Sequence, residues 1–157
     1  MSDQSDPSAH IAAAISGAKQ RAERAQHQVA EEQQRQSASA AQQRDNMTRW
    51  GNIKVGTILP IVKALGDVAV RQASPILIEF VPGADPLSVR FKLHRSGEME
   101  TLTTLQFTVA ADGFVSVRCG IPGIDVWAPK PLVQVDEAWV QEVTTKVFEG
   151  ALMQWIR

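Results

Sequence analysis

Leu87-Ser88-Val89-Arg90-Phe91-Lys92-Leu93-His94 is the stretch on which the fold turns. Apolar and polar residues alternate along it without a break. Successive side chains of a strand point to opposite faces, so a period of two marks a β-strand with one buried face. Leu87, Val89, Phe91 and Leu93 form the inward row, and Ser88, Arg90, Lys92 and His94 the outward one.

The same pattern continues on both sides. Pro75 opens an apolar run from Ile76 to Val81, and Pro82-Gly83-Ala84-Asp85-Pro86 is a turn cluster. Downstream, Ser96-Gly97-Glu98 makes a turn before Thr101 to Ala110, where Leu105, Phe107 and Val109 face inward. Ala111-Asp112-Gly113 is a hairpin signal, and Phe114 to Gly120 places Val115, Val117 and Cys119 on one face. Short turns between alternating strands predict a four-stranded antiparallel meander with one apolar face to cover.

Helices supply the cover. Asp136 is placed to cap a final helix reaching nearly to Arg157, with Val140, Val143, Val147, Ala151 and Trp155 along its inner side. Phe148 and Leu152 widen that side beyond the stripe of about 100° that one sheet occupies. A second neighbour is expected, either the helix before the sheet or another subunit. Gly150 inside this helix predicts close packing against its backbone. Between sheet and helix, residues 121–135 hold three prolines and Gly123, and read as a loop with a short edge strand at 124–127.

Before the sheet, residues 46–72 carry a second amphipathic pattern. Trp50, Ile58, Ile61, Val62, Leu65, Val68 and Ala69 share a face opposite Arg49, Lys63, Asp67 and Arg71. Asn46 and Thr57 are cap candidates, and Pro60 predicts either a kinked helix or two short ones. Residues 8–45 are rich in Ala, Gln, Glu, Arg and Ser, with Ser8 as the expected cap of a helical arm. Ile11, Ile15, Ala18, Ala22, Ala25 and Val29 are spaced four and three apart in alternation, a coiled-coil seam. It fades into Glu32, Gln36, Ser39 and Gln43. Residues 1–7 read as a disordered tip.

The expected fold is therefore α+β. A polar helical arm over 1–45 precedes a two-layer domain over 46–157. In that domain a four-stranded antiparallel meander packs against a preceding, Pro-kinked helix and a C-terminal helix.

Composition narrows the function classes. Sixteen basic and seventeen acidic residues leave a net charge of −1, which disfavours a protein that tracks nucleic-acid phosphates. The chain opens without the basic start and apolar run of a secretion signal, and no stretch approaches the length of a membrane span. With a single cysteine, Cys119, a cytoplasmic setting is expected. The Asn46-Met47-Thr48 sequon then carries no meaning.

No catalytic, metal or cofactor motif stands out. His10, His27 and His94 lack zinc spacing, and Cys119 alternates with valines as a small core residue does. Ser16 and Lys19 match an acyl-enzyme pattern, but on an arm with no core to exclude water. The outward stripe of Arg90, Lys92 and His94, joined by Arg118, is a candidate anion or partner patch. Trp127, Trp139, Phe148 and Leu152 are a candidate partner or oligomer surface. The expectation is a non-enzymatic protein-interaction or adaptor protein, without cofactor, associating with itself or a protein partner through the arm or the last helix. One alternative is a small-molecule-binding domain or modest enzyme with a pocket between sheet and helices. A nucleic-acid binder using the basic sheet face is another.

Overall fold

The computed structural model describes residues 6–83, 85–124 and 127–156. Contacts divide the chain into two units, Met1–Gln42 and Gln43–Arg157. The architecture is α+β. Helix α1 spans Pro7–Ile53, a π-helical turn Lys54–Ile58 follows, and α2 spans Leu59–Arg71. The strands are β1 (Ile76–Val81), β2 (Ser88–Arg95), β3 (Thr101–Val109), β4 (Phe114–Cys119) and β5 (Lys130–Pro131). A 3-10 turn, Leu132–Gln134, leads to α3 (Glu137–Ile156).

In the first unit every described residue is exposed except Gly17, which is half-exposed. Asp6, not Ser8, caps α1. The Ser8 backbone N–H and hydroxyl both donate to Asp6 Oδ1, at 3.1 and 2.7 Å. Pro7 then takes the first helical position, where a missing N–H costs nothing. The disordered tip expected over 1–7 falls mostly outside the described residues.

The second unit holds the core. The sheet is antiparallel in the order β1-β2-β3-β4-β5, one strand more than the alternation predicted. The addition is the two-residue β5 at the far edge, pairing Phe114 with Pro131 and Val115 with Lys130. The edge strand expected over 124–127 lies partly outside the described residues. The inward rows of β2, β3 and β4 are buried: Val89, Phe91 and Leu93; Leu105, Phe107 and Val109; Val115 and Val117. Leu87, expected inward, precedes the strand and is exposed. The π turn, α2 and α3 cover this face with Ile58, Val62, Val140, Val143, Val147 and Ala151.

Three expectations about the helices need correction. Asn46 caps nothing, because α1 continues through it to Ile53. The helical run does divide near Pro60, with α2 beginning at Leu59, and the division is a π turn in which the Leu59 N–H donates to Lys54 O, five residues back. The wider turn makes room where the proline ring would meet the carbonyl four residues back, and Pro60 sits in the first turn of α2. Thr57 makes no cap bond to α2. Trp155, expected in the core, is 45% exposed.

Other local signals act as read. Asp136 Oδ1 accepts the Trp139 N–H at 2.8 Å, capping α3. A Cβ on Gly150 would run into Ile124 Cδ1 and stand 3.2 Å from Ile121 Cδ1, so the glycine lets these side chains pack closely on α3. α2 is the second neighbour of α3.

Candidate functional site

The outward sheet face carries the basic stripe. Arg90 stands opposite Gln106, and Gln106 opposite Arg118, so register places both arginines on one face with Gln106 between them. Glu79 of β1 pairs with Lys92, and its carboxylate lies 3.1 Å from Lys92 Nζ and 3.5 Å from His94 Nε2. His94 Nδ1 lies 3.0 Å from Arg95 O and 3.1 Å from Glu98 O. These oxygens only accept. Half of the stripe is thus tied to Glu79, while Arg90 and Arg118 are exposed. Among the described residues, the two pKa values displaced from their ordinary range lie elsewhere. Hydrogen bonds from Ser8 lower Asp6, and the bond and charge of Lys146 lower Glu142.

The aromatic set does not come together as an exposed anchor. Trp139 is buried edge-on against Phe107 at 6.0 Å, with Lys130 Nζ 5.4 Å above its ring. Trp127 is half-buried, near Ile124 and Met153. Phe148 and Leu152 line a groove between α3 and α2, about 340 Å³ in volume, with Leu65, Val68 and Pro75 opposite. Val68, expected on the buried face of α2, is exposed at this rim. The groove offers little to orient a polar ligand. Thr144 Oγ1 donates to Val140 O at 2.8 Å, and Ser74 Oγ is bonded to both backbone groups of Ile76.

A larger trough lies on the other side of α2, between it and β1. Its volume is about 560 Å³, and Leu59, Val62, Val70, Ile78, Phe80 and Phe91 give it apolar walls. Leu59 and Phe80 also line a neighbouring hollow of about 260 Å³ at the β1–β2 turn, whose cations are Lys54 and Arg90. Sequence reading allowed a pocket between sheet and helices but assigned no residues to it. Its one sequence signal is Phe80, at the end of an apolar run on an edge strand. Phe80 is 47% exposed, its ring 5.8 Å from that of Phe91.

The β1 edge is mostly closed. Ser96 N–H donates to Pro75 O at 2.8 Å. By the alternation of an antiparallel ladder, the backbone groups of Ile76, Ile78 and Phe80 therefore point away from β2. Ser74 Oγ accepts the Ile76 N–H at 3.1 Å and donates to Ile76 O at 2.7 Å. α2 crosses at Ile78, where a Cβ on Gly66 would lie 3.5 Å from Ile78 O. Phe80 is left open, and Pro82 beyond it has no N–H. Edges closed in this way resist pairing with other strands.

Among the described residues no group of three or more His, Cys, Asp or Glu side chains is arranged to hold a metal ion. No helix among them is long and apolar enough to cross a membrane. No protein-family model matches the chain, and no similar curated protein or solved structure is found.

Proposed function

We propose that the chain is a non-enzymatic interaction protein whose helical arm associates with a second copy or a protein partner. One observation carries the reading: the seam of α1 is bare. Ile11, Ile15 and Val29 are 62, 52 and 57% exposed, at the spacing with which one helix packs on another. Most helical stability in proteins comes from packing of an apolar face rather than from propensity, so burial of such a seam stabilises the helix. Local support in the arm is slight: Gln36 to Glu32 at 3.3 Å, His27 with Glu31 at 3.3 Å, and Arg21 to the Gly17 carbonyl at 3.2 Å. The groove lined by Phe148 and Leu152 supplies a second apolar contact surface on the other unit. The setting fits a reducing, cytoplasmic compartment, supported by the single Cys119.

The test is the solution mass of the full chain by light scattering, beside the Ile11→Gln/Ile15→Gln double variant. Association that the substitutions abolish supports the reading. Association that they leave intact removes the arm from it.

A further inference from the structure

We infer that the trough between α2 and β1 binds an anionic single-chain amphiphile of the fatty-acid class, with its apolar chain beside Phe80 and its carboxylate at Lys54 and Arg90. The site is long and two-part. The mainly apolar trough, about 560 Å³ and lined also by Lys63 and Asp67, falls within the size range of small-molecule pockets. It meets the hollow containing the two cations through shared walls, Leu59 and Phe80. An apolar channel ending on positive charge is complementary to a ligand with an apolar tail and an anionic head.

Positive charge is in excess at that end, with two cations to one described carboxylate. The described carboxylate in the hollow belongs to Asp85, whose oxygens accept from the Leu87 N–H at 2.9 Å and the Ser88 hydroxyl at 3.1 Å. Lys54 is half-buried and begins the π turn, and its carbonyl holds the N–H of Leu59. That bond ties the cation end directly to the trough wall, and π turns of this kind recur at functional sites.

A peptide fits poorly in the same place. An extended segment needs edge partners for its backbone, and Ser74 and α2 close the edge at Ile76 and Ile78. Its remaining N–H and C=O groups would lie unsatisfied against apolar walls. A hydrocarbon chain has no such groups to satisfy.

The experiment uses the full chain and three probes followed by calorimetry at neutral pH and low salt. Dodecanoate, kept below its aggregation concentration, is expected to bind saturably, one per chain. Acetate tests the head alone and is expected not to bind. Dodecyltrimethylammonium carries the same tail with a cationic head and is expected to bind at least about tenfold more weakly. Lys54→Gln and Arg90→Gln should each weaken dodecanoate about tenfold, the scale of one charge-assisted hydrogen bond. Lys146→Gln, on α3 away from the trough, should leave it unchanged. Arg90 is exposed, so its substitution does not endanger the fold. The inference is overturned if dodecanoate shows no saturable binding, if the cationic probe binds as tightly, or if Lys54→Gln and Arg90→Gln act no more strongly than Lys146→Gln.

Discussion

Trp50 belongs to a helix that is elsewhere almost wholly solvated, yet it is 1% exposed and joins the core of the second unit. Its indole N–H donates to Pro86 O at 2.9 Å, fixing the end of α1 to the β1–β2 turn. Trp50→Ala removes the whole ring from a close-packed site. Such truncations cost about 3–5 kcal/mol, through lost burial and the cavity left behind. That is a large share of the roughly 5–15 kcal/mol typical of a domain. A unit of this size should lose about 3–6 °C of melting midpoint per kcal/mol, so the variant should melt about 9–30 °C lower. Trp50→Phe keeps most of the ring contact and loses the bond to Pro86. Pro86 is exposed and water can replace the donor, so the cost should be smaller, about 1–2 kcal/mol. Urea titration followed by the fluorescence of the remaining tryptophans measures both. A cost below about 1 kcal/mol for Trp50→Ala would refute the reasoning, because no fully buried tryptophan can be removed so cheaply.

Three further outcomes follow from local geometry. Gly113 has φ +81°, and an added Cβ would stand 3.0 Å from Asn46 Nδ2; Gly113→Ala should cost about 1–2 kcal/mol, and adding Asn46→Ala should recover only part of it, since the backbone strain persists. Asp136→Ala removes the cap of α3 and should cost about 1 kcal/mol by urea titration, with Asp136→Asn nearly neutral. Glu142 has its carboxyl pKa lowered by Lys146, so its contribution is present above the ordinary carboxylate value and fades as pH falls through its folded value. Glu142→Gln should therefore separate from the parent chain in urea midpoint at neutral pH and converge with it in acid.

The sheet was legible because its information is local. A period of two through Val89, Phe91 and Leu93 states both the strand and its buried face, and Gly113 at positive φ marks the hairpin the sequence announced. Asp136 and Gly150 were equally legible, since a cap and a crowded glycine each leave a residue-level mark. The π turn was not, because Lys54–Ile58 has no composition that separates it from an α-turn; only the proline that follows hints at a disturbance. β5 is too short to show a period, and its pairing depends on a loop returning to Phe114. The cap of α1 went to Asp6 because two neighbouring residues were chemically competent, and Pro7 settled which.

The candidate sites were less legible, for a different reason. Whether Lys92 and His94 are available depends on Glu79 from another strand, and register alone makes that pairing. Trp139 lies at the edge of a helical arc, and its surroundings come from other elements, Phe107 edge-on to its ring and Lys130 Nζ over it. The trough requires α2 to cross β1 at Gly66 and leave Phe80 uncovered beyond it. That is a property of two elements together, which no window of sequence contains.

The central claim is that the bare seam of α1 is an association surface. Light scattering on the full chain and on Ile11→Gln/Ile15→Gln, across a range of concentrations, tests it most directly. The account predicts a multiple of the chain mass for the parent protein and the single-chain mass for the variant. A parent protein that remains at the single-chain mass at every concentration, with no protein partner held through the arm, contradicts it.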